Sequence, residues 1–315
     1  MKSIREIARL SEVSTATVSR YMNKSGYVSK QTASKIEEVL TTNEYHPNKL
    51  TTAIINGRSN DIALIVQNIM NPFFAQLVDE IESLMENTDY NLIICNCNGS
   101  SKKEKQHYKN LLEKRIAGLL VINTNDENIY KNKAIPVIGI EKRVLNWPKV
   151  SISNEEALKQ IFDNVKIADS HVLMIKGQES SYSSNLRAKY FKEFANDHNC
   201  TYEVEMITDD LEMIKEALGI NYSKYDTVFC WTDIVAHKVY SEIIAQGLSI
   251  PQDIQLVGFD GLTINNIFSY NLTTVDQQIR NLGNVALCNL IDSINSKKID
   301  DVYLQCKFKK GNTTR

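Results

Sequence analysis

From Ser14 to Asn23 the chain reads Ser-Thr-Ala-Thr-Val-Ser-Arg-Tyr-Met-Asn. On a helix, Val18 with Tyr21 and Met22 would turn inward, leaving Thr15, Ala16, Thr17, Ser19, Arg20 and Asn23 outside. These are small groups, hydroxyls, one guanidinium and one amide, a surface able to reach the floor of a DNA major groove and bond to base edges and phosphates. Arg20, Asn23, Ser14 and Thr17 suit phosphate oxygens, whereas Thr15 and Ala16 suit bases. Ala16 offers only a methyl, so its reading must be apolar, for instance of the thymine methyl. A different chemistry lies farther along, where Phe73 follows Asn71-Pro72, Trp231 closes an apolar run and Asp260 closes Val257-Gly258-Phe259. Rings and a carboxylate at such positions can hold a flat or hydroxylated ligand.

Reaction chemistry has little support. The chain has no Gly-x-Ser-x-Gly, no phosphate loop of the Gly-x4-Gly-Lys type and no His-Glu-x-x-His. His46, His107, His171, His198 and His237 are dispersed, and the six cysteines offer one close pair, Cys95 and Cys97, without a second at ligand spacing. The expectation is a binding protein with no catalytic residue, no metal and no cofactor.

The elements that must carry these groups follow from periodicity. Ile4, Ile7 and Ala8 share one face of a helix capped by Ser3, and a polar turn, Arg9-Leu10-Ser11-Glu12, separates it from the helix that Ser14 caps. Two short helices meeting across such a turn are a helix-turn-helix. Ser29 would cap a third, with Ala33, Ile36, Val39 and Leu40 closing a small core. Any bundle could contain such a helix pair, but the charge argues for DNA. Residues 1–60 hold nine Lys/Arg against five Asp/Glu, a balance of +4, and the remainder holds 27 against 33, or −6. Residues 1–46 are therefore read as a DNA-binding domain and 47–60 as a linker.

From residue 61 onward, uniformly apolar runs such as 62–66, 92–95, 118–122 and 136–140 alternate with amphipathic helices, and the cycle restarts at 171–175, 202–205, 227–231 and 254–258. Strands buried on both faces and joined by helices form parallel sheets. Two successive units give two lobes with a ligand cleft at the carboxyl ends of the strands. Residues 61–154 with 275–297 are assigned to lobe one, and 155–274 with 298–315 to lobe two. A polar, basic start without an apolar leader and the lack of a run of ~18 apolar residues place the chain in the cytoplasm, on the nucleoid.

Ile4-Arg5-Glu6-Ile7-Ala8, Val13-Ser14 with Thr17-Val18-Ser19-Arg20, Tyr27-Val28-Ser29 with Thr32, and Asn43-Glu44-Tyr45-His46-Pro47-Asn48 resemble the headpiece of the LacI/GalR family of bacterial transcription regulators. The likeness continues through Arg187, Asp260 and Leu272-Thr273-Thr274-Val275-Asp276-Gln277 and spans nearly the whole chain. It implies an all-α helix-turn-helix headpiece plus an α/β two-lobed, periplasmic-binding-protein-like (type I) effector domain. Tyr27, Ser29 and Thr32 would join the DNA surface, and Ile54 would be the wedge of a hinge helix that orders on DNA. Phe73, Asn154, Arg187, Trp231 and Asp260 would bind the effector. Arg187 sits where the family's Arg meets sugar hydroxyls or a carboxylate, and Asp260 where its Asp takes vicinal hydroxyls. The sequence departs from the pattern at Tyr190, where Gly is usual, and at Ser153, which leaves only Asn154 of an Asp-Asn pair. The implied function is a homodimeric repressor of a sugar-utilisation operon, with double-stranded operator DNA and a sugar or sugar phosphate as partners. A purine-type corepressor sensor, or a sugar receptor without a transcriptional role, would share the body.

Overall fold

A computed structural model describes residues 2–22, 26–43, 57–124, 126–132, 134–207 and 218–315. It divides into two compact units, Met1–Ser59 and Asn60–Arg315. The expected DNA contact Asn23, the wedge Ile54 and most of the 47–60 linker lie outside the described residues.

In the first unit α1 (Ile4–Leu10) opens with a reciprocal cap. The Glu6 N–H donates to Ser3 Oγ, and the Ser3 N–H donates to the Glu6 carboxylate at 2.6 Å. The turn that follows reverses at Glu12 through a φ of 54°, a conformation that favours glycine. The Glu12 side chain accepts from Lys35 at 2.7 Å, which ties this turn to the third helix. Helices α2 (Thr15–Met22) and α3 (Lys30–Thr42) pack Val18 and Ile36 on Ile7 and Ala8, with Tyr21, Met22, Val39 and Leu40 at the margin.

The second unit holds two parallel sheets. The first runs in the order β11 (Val302–Leu304), β5 (Lys149–Ile152), β4 (Val137–Ile140), β3 (Gly118–Ile122), β1 (Asp61–Val66), β2 (Asn91–Asn96). Alternate residues of β1 feed opposite faces. Ile62, Leu64 and Val66 meet α4 (Pro72–Met85) and α9 (Ile279–Ile294), whereas Ala63 and Ile65 meet α5 (Ser101–Glu113). Gly283 lets α9 lie close on α4, since a Cβ there would stand 3.1 Å from Ile81 Cγ1 and 3.3 Å from Leu77 Cδ1. Gly283→Val should overpack this contact and lower the unfolding free energy by about 1–3 kcal/mol. A reduced urea midpoint with unchanged slope would register it.

The second sheet runs β7 (Thr201–Met206), β6 (His171–Lys176), β8 (Thr227–Cys230), β9 (Gln255–Val257). It is covered by α6 (Asn154–Asn164) and α7 (Tyr182–Asp197) on one face and by α8 (Asp233–Ala245) on the other. A short antiparallel pair, β10 (Thr274–Asp276) with β12 (Lys307–Lys309), completes this lobe.

The strand pairing moves two expected lobe boundaries. Residues 298–304 belong to lobe one, because β11 pairs in parallel with β5. Residues 275–276 belong to lobe two, because Val275 packs in its core and β10 pairs with β12. The chain therefore crosses at 153, at 277–278 and at 305. The crossings lie together: the Ser153 N–H donates to the Leu304 carbonyl at 3.1 Å, and Gln278 Nε2 donates to the Gln305 carbonyl at 2.6 Å. On α4, Leu77, Val78 and Ile81 are consumed by the lobe core. Phe74 and Leu84 remain half-exposed.

Candidate functional site

On α2 and its neighbours the expected DNA-facing residues divide into two kinds. Ser14 and Ser29 are helix caps, each repeating the same Ser-x-x-Thr arrangement. Ser14 Oγ accepts from the Thr17 N–H at 3.1 Å and lies 2.9 Å from its hydroxyl; Ser29 Oγ accepts from the Thr32 N–H at 3.2 Å and lies 2.8 Å from its hydroxyl. These four hydroxyls thus order the helix ends that would meet phosphate. Thr15, Ala16 and Arg20 stand exposed, and Tyr27 is 87% exposed. Arg20 folds along the backbone of Gly26, where a Cβ would lie 2.9 Å from its Cδ. No acid pairs with Arg20 among the described ion pairs, so its charge stays available to a polyanion.

The second site lies at the carboxyl ends of the strands, beside the crossings. Arg187, on α7, is 3% exposed and donates from Nε to Asn154 Oδ1 at 3.1 Å and from Nη1 to the Trp231 carbonyl at 2.6 Å. Its guanidinium lies 3.7 Å from the centre of the Phe259 ring, and Nη1 is 3.6 Å from Asp260 Oδ1. Asp260 is also 3% exposed and accepts from Gln277 Nε2 at 2.5 Å. Its φ of 133° is a strained value for a residue with a side chain, costing about 1–3 kcal/mol. The neighbouring loop is held by Asp233, which accepts from the Leu262 N–H at 2.9 Å, from Asn265 Nδ2 at 2.8 Å and from the Thr274 hydroxyl at 2.6 Å. Burial pushes the carboxyls of Asp260 and Asp233 above the usual range, opposed at Asp260 by Arg187 and at Asp233 by the Thr274 hydroxyl.

Of the five expected effector residues, the structure brings Arg187, Asp260 and Asn154 into one cluster, with Trp231 joining through its backbone. The Trp231 side chain packs inside the second lobe with Val235 and Leu256. Phe73 is buried at the start of α4, edge-to-face with Phe74 at 5.5 Å. Leu262 of the second lobe joins the same cluster, and the Thr263 N–H donates to Gln76 on α4 at 3.1 Å. Phe73 thus lies where the lobes touch and makes no described ring contact with the Arg187 group.

Two residues of the site escaped sequence reasoning. Gln277 is buried between Asp260 and the second crossing; it belongs to a recognised motif, but nothing in the motif marks its amide as a ligand of a carboxylate. Glu141, 3% exposed, follows β4 with a φ of 65° and accepts the Ile152 N–H at 3.4 Å. Burial lifts its carboxyl above the usual range, opposed by the charge of Arg187, by the Ile152 N–H and by the charge of Lys149. A lone Glu after an apolar run gives no signal that it will be buried.

Residues 3–48 match the model of bacterial regulatory proteins of the lacI family, and residues 168–314 match that of a periplasmic binding protein-like domain. A solved periplasmic binding protein/LacI transcriptional regulator from Alkaliphilus metalliredigens QYMF, complexed with D-xylulofuranose, is 32% identical. It aligns with 82% of this chain and all of its own, with a TM-score of 0.74. The HTH-type transcriptional repressor PurR of Aliivibrio fischeri (strain MJ11) is 29% identical over 94% of this chain and 93% of its own length. The ribose operon repressor of Halalkalibacterium halodurans is 28% identical over 95% and 92%.

Proposed function

The chain belongs to the lacI family of bacterial regulatory proteins, and from that premise we propose that its cleft senses a sugar of the pentose class through Arg187, Asp260, Asn154, Gln277 and Glu141. The protein is a DNA-binding transcriptional repressor whose operator affinity responds to a small molecule, and it is not an enzyme. The observation that carries the sugar reading is the buried Arg187–Asp260 pair resting on two of the three lobe crossings. A guanidinium fork and a carboxylate together hold vicinal hydroxyls, which both donate and accept. The D-xylulofuranose in one relative and the ribose operon named for another support the same class.

The response follows from that placement. Asn154 begins the helix after the first crossing and Gln277 lies at the second, so a ligand that redirects Arg187 and Asp260 alters the hinge directly. A preference of about 1–3 kcal/mol for one lobe arrangement changes operator affinity 5- to 150-fold. Two copies of the chain would present two headpieces to half-sites one helical turn apart. The work is done on operator DNA in the cytoplasm, and no helix among the described residues is long and apolar enough to cross a membrane.

Within the headpiece, Thr15 and Ala16 read bases while Arg20, Ser14, Thr17, Ser29, Thr32, Tyr27 and Asn23 set the protein on the backbone; Ile54 is assigned to the hinge wedge. Arg20→Ala should weaken binding to all sequences alike and reduce the log–log salt slope by about one unit. A change in sequence preference would instead assign Arg20 to base reading.

A purine remains the second reading because of the PurR relatives. Fluorescence anisotropy with the protein's own promoter separates the two. D-xylulose or D-ribose should release the DNA, whereas tighter binding with hypoxanthine or guanine and indifference to sugars would select the purine.

A further inference from the structure

The turn formed by residues 262–265, after β9, reaches from lobe two onto lobe one. Leu262 packs in the lobe-one cluster that holds Phe73, Leu77 and Ile81, with Ile264 and, from the first turn of α8, Ile234 against its margin. One hydrogen bond completes the contact: the Thr263 N–H donates to Gln76 Oε1 at 3.1 Å. Phe73 and Gln76 lie in the first turns of α4, beyond the carboxyl end of β1, and the 262–265 turn lies beyond the carboxyl end of β9. Those strand ends border the cleft, so the contact joins its two rims.

The turn is firmly held by its own lobe. Both its ends are pinned to one oxygen, Asp233 Oδ2, which accepts from the Leu262 N–H at 2.9 Å and from Asn265 Nδ2 at 2.8 Å. That leaves Asn265 Oδ1 to accept from His237 Nε2 at 2.8 Å, so the imidazole proton sits on Nε2 and Nδ1 accepts from the Tyr270 hydroxyl at 2.7 Å. Burial holds this imidazole below its usual range, opposed by the hydrogen bond to Asn265, and the Phe268 ring stacks on it with centres 3.7 Å apart. Every donor along Tyr270, His237 and Asn265 therefore points toward Asp233. Turning the Asn265 amide over would break two bonds at once. A turn tied this way moves with lobe two as one piece, and its grip on α4 is either made or lost.

We propose that Gln76 is a positioning residue of the effector response: its bond to the Thr263 N–H clips the 262–265 turn to lobe one, a latch that favours the arrangement in which the cleft rims meet. A ligand held between the lobes favours the same arrangement, because only there can it touch both. Latch and ligand thus act on one equilibrium. By linkage, whatever the ligand does to operator affinity the latch does in part without it.

The latch presupposes the effector-responsive repression argued above, and the test keeps the two apart. Gln76→Met preserves the bulk and helix preference of this half-exposed side chain but removes the acceptor, whereas Gln76→Glu retains an oxygen for the Thr263 N–H. Full-length protein would be titrated calorimetrically with D-xylulose, D-ribose, hypoxanthine and guanine, and its promoter affinity read by anisotropy with and without each. Gln76→Met should bind whichever ligand responds about three- to tenfold more weakly. Its promoter affinity without ligand should shift by a similar factor, upward if that ligand releases the wild-type protein from DNA and downward if it promotes binding. Gln76→Glu should stay within about twofold of wild type in both. Asn265→Ala, which unpins the turn from Asp233 and His237, should move both affinities in the same sense as Gln76→Met. A shift in only one of the two affinities or in neither, a promoter shift in the ligand's own direction, or an equal loss in Gln76→Glu overturns the latch. If no ligand responds, the effector reading fails and promoter affinity alone judges the latch: a shift in Gln76→Met that Gln76→Glu does not share sustains it, and any other result overturns it.

Discussion

Residues 60–315, prepared without the first 59, are expected to bind the cleft ligand with unchanged affinity and to lose specific operator binding altogether. The exposed side chains fit for base edges and phosphates, Thr15, Ala16, Arg20 and Tyr27, all belong to the removed unit. With them go nine cations against five acids, and the remaining 27 cations face 33 acids. A body of net charge −6 repels a polyanion, so even sequence-independent attraction should vanish. Specific complexes of this kind are typically about a thousandfold or more tighter than nonspecific ones, so the loss spans at least that range. Two titrations check it, one with labelled promoter DNA and one with the cleft ligand. A promoter footprint retained by the truncated protein would move DNA recognition out of the helix-turn-helix and undo the functional reading.

How much of this was legible in the sequence depended on where each residue's burial came from. Strands β3 and β6 read clearly, because Gly118–Ile122 and Val172–Ile175 are covered on both faces and must be continuously apolar. Strand β5 did not: Lys-Val-Ser-Ile is four residues long and half polar, and only its neighbours β4 and β11 make it a strand. The last lobe boundaries failed for the same reason, since β10, β11 and β12 are three residues each and their pairing is set by distant partners. At the cleft, Arg187 and Asp260 could be named from motif likeness, yet Glu141 and Gln277 could not. Gln277 matters through a carboxylate 17 residues away and Glu141 through its burial, and no local pattern encodes either.

The buried pair itself yields the second large effect. Arg187→Met keeps the apolar stem of the side chain while removing the cation, leaving Asp260 buried with the Gln277 amide and the Asp233 N–H as donors. Breaking a buried pair from one side costs about 3–5 kcal/mol, and losing the fork should weaken ligand binding about a hundredfold. The cost should depend on pH in a definite direction. Asp260, Glu141 and Asp233 all have folded-state carboxyls raised by burial, so the stability linked to their protonation is full below the ordinary carboxylate range and is lost as pH climbs through the raised values. Arg187 opposes that rise at Asp260 and Glu141, and without it both carboxyls move further up. The deficit of Arg187→Met relative to the parent should therefore be greatest near pH 8 and shrink on acidification toward pH 5. Adding Asp260→Asn removes the stranded charge, so the double variant should regain most of the stability at pH 8 yet remain unresponsive to ligand. Urea unfolding across that pH range reads the first effect, and promoter binding with and without D-xylulose reads the second. A deficit that stayed constant from pH 8 to pH 5 would mean that removing Arg187 shifts no carboxyl through that range, and a deficit that grew as pH fell would mean that Arg187 does not hold these carboxyls down.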